Sequence, residues 1–289
     1  MIVSQRAKRS GKDFIVMKKI FTLSLCAVML AVCVLGAVSC SKSYIGVQSG
    51  TTGQYFVDGD EDWGFDGIKG YQSKGYSNAG LAVADMKAGV VDYVIVDKAP
   101  AIQLAKAISG IKVIDIELTE EEYAFGVDKA QEQRLADINR ILAEKQDAVK
   151  AIIDNYATGE GITPVASAQK DLSKKDTQLV IATNAAFNPF EYTDGDKFVG
   201  IDIEIMKMVA DELGMELVIE DMEFDSVVTA VGKNGVDVAA AALTVNETRK
   251  ESVNFSTTYY NAAQVLIVLE NVTTFDSCKT AQDVIDLLK

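Results

Sequence analysis

The sequence contains no histidine. That absence excludes histidine-based nucleophile triads and takes away the commonest zinc ligand, which argues against hydrolytic and metal chemistry. Positive charge is scarce over most of the chain. The first 39 residues hold six Lys and Arg and one acid, leaving 22 basic against 41 acidic residues from Cys40 onward. So acidic a surface repels a phosphate backbone and anionic lipid, and nucleic acid and acidic membrane surfaces are excluded as partners. What is abundant is apolar: 48% of 289 residues are hydrophobic, enough for a sizeable core and for two lobes.

Cysteine is nearly absent as a structural element. Lys18 and Lys19 precede an apolar run from Ile20 to Val38, and Met17 reads as the natural start of a signal peptide ending at residue 39. The run is long enough to span a membrane, but Ala37-Val38-Ser39-Cys40 resembles a bacterial lipoprotein signal, with Ala37 where leucine is usual. Cys40 is then the acylated residue, and lipid the only membrane contact. Cys26 and Cys33 leave with the signal and Cys278 stands alone, so no disulfide framework is available.

The remainder alternates strand and helix patterns. Tyr44 to Gln48 reads as a strand followed by the glycine turn Ser49 to Gly53. Asp58 to Gly67 only superficially resembles a calcium loop: Trp63 stands where the turn glycine belongs and Lys69 where the bidentate glutamate belongs. It reads as a solvated acidic loop, and no metal site is expected. A helix over 78–87 leads to a strand, Val91 to Val96, ending at Asp97. Leu135 to Tyr156 carries apolar residues at helical spacing, and Thr158 to Thr177 reads as a flexible linker of about 25 Å reach. A fresh strand starts at Leu179. Helix 227–233 and strand 236–243 then repeat the earlier device, Asn234-Gly235-Val236-Asp237 echoing Gly89-Val90-Val91-Asp92.

Asn246 favours a helix N-cap, which puts Arg249 in the first turn, where the helix dipole disfavours a cation. Arginine plus helical N–H groups at the end of a buried strand suits a carboxylate. Asp97 from one unit and Arg249 from the other therefore suit a zwitterion, if the two lobes face each other.

Four phrases in the C-terminal half, FNPFEY, GDKFVGIDIEIMKMVADELG, MEFDSVV and NGVDVAAAALTVNETRKESVNFSTTYY, carry a resemblance. Leu179 to Val268 resembles the first lobe of the extracytoplasmic polar amino-acid-binding proteins of ABC transporters, the family 3 solute-binding proteins that include the glutamine-binding protein. Tyr44 to Tyr156 is similar to their second lobe and closing helices through IGVQSGTTG, LAVADMKAGVVDYVIVDKAP and LTEEEYAFGVD. The resemblance implies an α/β, two-lobed periplasmic-binding-protein type II fold with a hinge, in circularly permuted order. Lobe two is expected at 43–122, completed by 272–289, and lobe one at 124–268 including the linker 158–177. The hinge strands are expected near Glu121 to Gly126 and Leu266 to Glu270.

The same resemblance implies that Arg249 clamps a free amino acid's α-carboxylate, with the Thr244 hydroxyl and the backbone N–H groups of Thr244 and Thr52. Asp97 and the Ala242 carbonyl take the ammonium, Phe187 and Phe224 sandwich the side chain, and Asn184 and Gln48 choose it. The uncharged Asn184 disfavours a cationic side chain, leaving glutamine or another uncharged polar amino acid as the expected ligand. No cofactor is implied; the partner is an ABC-transporter permease. The alternatives are an enzyme on the same fold, of cyclohexadienyl dehydratase type, or an amino-acid sensor. A monomer is expected, with a lobe-swapped dimer as the structural variant.

Overall fold

The computed structural model describes residues 43–288; the expected signal peptide and Cys40 lie outside the described residues. The first sheet pivots on β1 (Ser43–Gln48), whose Ile45 and Val47 are wholly buried. A Cβ at Gly46 would meet the Ala82 Cβ at 3.0 Å, so glycine lets a helix lie directly on this strand. β2 (Tyr71–Tyr76) and β3 (Tyr93–Asp97) run parallel to β1, because the connections through α1 (Thr52–Asp58) and α2 (Ala79–Lys87) are crossovers. Asn78 caps α2 by accepting the Leu81 N–H at 3.1 Å. After α3 (Lys98–Ala107) and β4 (Ile111–Ile114) the sheet is completed by β15 (Gln264–Leu269), which inserts antiparallel in the order β2-β1-β3-β15-β4. The C-terminal helix α9 (Ala281–Leu287), closed by a Thr280–Asp283 capping box, packs on the same lobe. Val284 and Phe275 are buried among Ile45, Val47 and Leu266, each burial stabilising by about 2 kcal/mol.

The second sheet is built on β7 (Gln178–Thr183), six buried residues in succession, as in a strand covered on both faces. Its order is β11-β7-β12-β6-β13, with β6 (Gly126–Asp128), β11 (Glu216–Asp221), β12 (Val238–Ala239) and β13 (Val253–Phe255). Leu179 and Ile181 face α4 (Glu132–Glu144), α5 (Gln146–Thr158) and α6 (Ile201–Glu212), while Val180 and Ala182 face α7 (Phe224–Ala230). Between the sheets runs an antiparallel ribbon of β5 (Glu121–Tyr123) and β14 (Tyr260–Ala262).

Several expectations need correction. The long helix breaks at Lys145 (φ −109°, ψ 23°), where one residue ends α4 and starts α5. The run 236–243 pairs only at Val238 and Ala239, since beyond them the Ala242 amide turns to Asp202 Oδ2 and the chain leaves the ladder. α7 occupies 224–230 rather than 227–233, with Gly232, Asn234 and Gly235 all at positive φ beyond it. β15 lies in the sheet of the other lobe although residues to 268 were expected in lobe one, and the crossing strand is β14. The segment 158–177 is docked rather than free. Ala168 donates to the Leu217 carbonyl, Val165 bridges Phe198, and Ser167 Oγ accepts the Ile219 amide, so the segment covers edge strand β11.

Candidate functional site

The carboxyl ends of β1 and β3 in one lobe face the 241–249 segment of the other across a small, tightly closed cavity. Eight of the nine residues expected to bind ligand line it: Gln48, Thr52, Asp97, Phe187, Phe224, Ala242, Thr244 and Arg249. The ninth, Asn184, is buried and accepts a hydrogen bond from Gln48 Nε2 at 2.8 Å.

Arg249 sits in the short helix α8 (Glu247–Lys250), whose cap, Asn246 Oδ1, accepts the Arg249 amide at 2.8 Å. Its guanidinium donates from Nη1 to the Thr244 carbonyl (2.9 Å) and from Nη2 to the Gly50 carbonyl (3.2 Å) of the opposite lobe. Cζ lies 5.2 Å from the Trp63 ring centroid and 5.4 Å from that of Phe224. Among the described residues no carboxylate comes within ion-pair distance. Burial lowers the guanidinium to about 10, opposed by the charge of Glu121, and it stays cationic at neutral pH. A buried cation held by carbonyl dipoles and ring faces is built to take an anion.

Asp97 ends β3 on the far side of the cavity and accepts the Tyr123 hydroxyl. Burial first, and the neighbouring Glu121 second, push its carboxyl up to about 7. A cationic partner would return it to the ionised form. Ala242 contributes a carbonyl from a backbone with φ 49°, a conformation that costs a non-glycine residue about 1–2 kcal/mol. The Asp202 carboxyl holds that conformation by accepting the Ala242 amide at 2.9 Å, while the Tyr259 hydroxyl donates to its other oxygen.

Thr244 departs from expectation. Its hydroxyl donates to Glu121 Oε2 at 2.6 Å, as does that of Thr52 from the opposite lobe, so that proton is committed to the crossing strand rather than to a ligand. The bonds flanking the Tyr123–Thr244 bridge are made by the Leu243 carbonyl and the Val245 amide. Thr244's own N–H and C=O therefore face away from β5.

Sequence reading missed four contributors. Glu121 accepts four bonds, the other two from Thr119 Oγ1 and Gln264 Nε2, and ties both lobes to the crossing ribbon. Its place among three consecutive glutamates hides it in the sequence, and only the fold, with Glu121 and Tyr123 buried and Glu122 exposed, separates it from its acidic neighbours. Asp202 is buried at the start of α6, and Trp63 reaches Arg249 from the acidic loop. Glu191, from FNPFEY, is fully buried with both carboxyl oxygens unpartnered; burial and then Asp202 push it well above the usual carboxylate range.

Two α/β lobes joined by a two-strand crossing, with a polar cavity between the carboxyl ends of their strands, define a periplasmic-binding-protein type II fold. Residues 179–284 match the family model of the bacterial extracellular solute-binding proteins, family 3. The chain is 34% identical over 106 residues to the arginine-binding extracellular protein ArtP of Bacillus subtilis, covering 37% of this chain and 42% of ArtP. It is 28% identical over 105 residues to a probable histidine-binding protein of Campylobacter jejuni, covering 36% and 40%. To the L-cystine-binding protein TcyJ of Escherichia coli it is 27% identical over 112 residues, covering 38% and 41%. The chain thus spans about two fifths of the length of these relatives. Among solved structures it is similar to the arginine-bound form of domain 1 from TmArgBP, with 27% identity, 42% of this chain and 98% of that chain covered, and a TM-score of 0.29.

Proposed function

We propose that this protein is an extracytoplasmic receptor that closes its two lobes over one free amino acid and presents it to an ABC-transporter permease, tethered to the membrane through lipid on Cys40. One observation carries the reading: Arg249, a buried cation without a carboxylate partner among the described residues, faces Asp97 across one small cavity. Arginine takes the α-carboxylate, and Asp97 with the Ala242 carbonyl takes the ammonium. The relatives named for arginine, histidine and cystine binding support the amino-acid class.

The side-chain end is formed by Gln48 and Asn184, both neutral amides, with Phe187 and Phe224 lining the same cavity as Gln48. A cationic head there finds no counter-charge from these two residues, which favours an uncharged polar side chain, glutamine first. The order of the lobes along the chain is read as a circular permutation, the segment 272–288 completing lobe two. Calorimetric titration of residues 41–289, unfolded and refolded to remove carried-over ligand, with the twenty amino acids tests the proposal. Tight binding of one amino acid, lost in Arg249→Ala, supports it; a folded monomer that binds none of the twenty overturns it.

A further inference from the structure

The acidic stretch after α1 is folded while Asp58, Glu61, Asp62 and Asp66 stay exposed to solvent. Asp60 and Phe65 exchange backbone bonds of 2.8 and 2.9 Å, and Asp60 Oδ1 accepts the amides of Asp62 (3.0 Å) and Trp63 (3.2 Å). This small hairpin presents Trp63 outward from lobe two. The indole stacks on Tyr55 with centroids 4.6 Å apart and planes 17° from parallel, which fixes its orientation. Its ring then meets the Arg249 guanidinium, which belongs to the other lobe, at 5.2 Å, while Phe224 sits at 5.4 Å from the same carbon.

We infer that Trp63 is a positioning residue of the carboxylate clamp: it covers the Arg249 guanidinium, strips water from it, and raises affinity for the amino acid without touching it. A guanidinium bonds strongly only in its own plane. Nη1 and Nη2 each spend one N–H on a backbone carbonyl, and the aromatic rings beside it compete with water for the rest of its surface without offering an acceptor of comparable strength. The remaining in-plane N–H groups are left for the ligand carboxylate. Because Trp63 and Arg249 come from different lobes, their contact also forms only when the lobes approach, so its energy adds to closure.

This inference rests on the receptor reading, and the chain supplies a readout that separates the two. Trp63 is the only tryptophan in the sequence, so indole emission reports on the surroundings of this one ring, and a change at Arg249 alone isolates its contact with the guanidinium. Wild type, Trp63→Ala, Trp63→Phe and Arg249→Met are titrated with L-glutamine, L-arginine and the other eighteen amino acids, and their emission spectra are recorded before addition. The expected result is about tenfold weaker binding in Trp63→Ala, recovery of most of that loss in Trp63→Phe, and a shifted emission maximum in Arg249→Met. Binding by Trp63→Ala within twofold of wild type overturns the inference, as does a Phe variant no better than Ala. Unchanged emission in Arg249→Met overturns it too, since the ring then does not sit on the guanidinium. If wild type binds none of the twenty, the receptor reading fails and Trp63's effect on affinity with it, whereas an emission shift in Arg249→Met still upholds the stack.

Discussion

Gln48 Nε2 of one lobe donates to Asn184 Oδ1 of the other at 2.8 Å. The orientation of both amides follows from a third bond, in which Asn184 Nδ2 donates to the Met222 carbonyl at 2.7 Å. A backbone carbonyl only accepts, so Asn184 must turn its oxygen to Gln48, and Gln48 must answer with its nitrogen. Gln48 Oε1 is left buried without a partner.

A lone buried acceptor in the cavity wall favours a ligand side chain with an N–H donor and disfavours a carboxylate, whose lone pairs would face it. Glutamine is therefore expected to bind about 100-fold more tightly than glutamate in side-by-side titrations. Equal affinities would mean that Gln48 does not read the side chain. In Asn184→Asp the amide acceptor becomes an anion, and the affinity ratio of arginine to glutamine is expected to rise at least tenfold.

Arg249→Ala is expected to weaken binding by about 2–5 kcal/mol, because it leaves a carboxylate without a partner in a desolvated cleft. Arg249→Lys is expected to recover only part of this, since an ammonium cannot donate to the Thr244 and Gly50 carbonyls in one plane and still fork a carboxylate. Isothermal titration of both variants decides the matter. A loss below tenfold in the alanine variant would place Arg249 outside the site.

Asp97 and Arg249 were legible because each stands where a local rule acts, one at the end of an apolar strand and the other just after an N-cap. Trp63 and Glu121 were not. Trp63 acquires its role from Tyr55 and from the opposite lobe, neither of which leaves a trace in the acidic stretch around it. Glu121 is the second of three consecutive glutamates, and only the register of β5 against β14 decides which one turns inward. The break at Lys145 was hidden for a different reason: Leu142 and Val149, both buried, stand seven residues apart, so the apolar stripe keeps its phase through the interruption. The docked course of 158–177 follows from an edge strand that needs covering, a tertiary demand with no counterpart in local composition.

Asp97, pushed up to about 7, is expected to make binding of the proposed amino acid pH-dependent. A ligand ammonium placed on Asp97, as proposed above, would hold the carboxylate ionised, so that below pH 7 binding would expel a proton from Asp97. The association constant is therefore expected to fall as pH drops from 8 to 5.5, approaching tenfold per unit at the acid end. Calorimetry in two buffers of different ionisation enthalpy would show the proton release directly. A flat profile, or the same slope in Asp97→Asn, would remove Asp97 from the ammonium site.

Asp202 ties pH to stability with the opposite history. Burial pushes its carboxyl up to about 7 from 3.8, while the unfolded chain keeps the ordinary value. Between those limits the unfolded state releases a proton that the folded state retains, so stability falls as pH rises from about 4 to 7 and levels off above. Asp202→Asn removes that term while keeping an oxygen for the Ala242 amide and an N–H for the Tyr259 hydroxyl. Relative to wild type, the variant is expected to gain stability by a few kcal/mol between pH 4.5 and pH 8, measured by urea denaturation at both. The slope from Asp97 is present in both proteins and cancels in the difference, whereas Glu191, which the Asp202 charge helps to push up, adds to the gap in the same direction. A stability gap that does not change between the two pH values would show that Asp202 is ionised in the folded protein, and that the strained Ala242 backbone is held by a carboxylate rather than by a neutral acid.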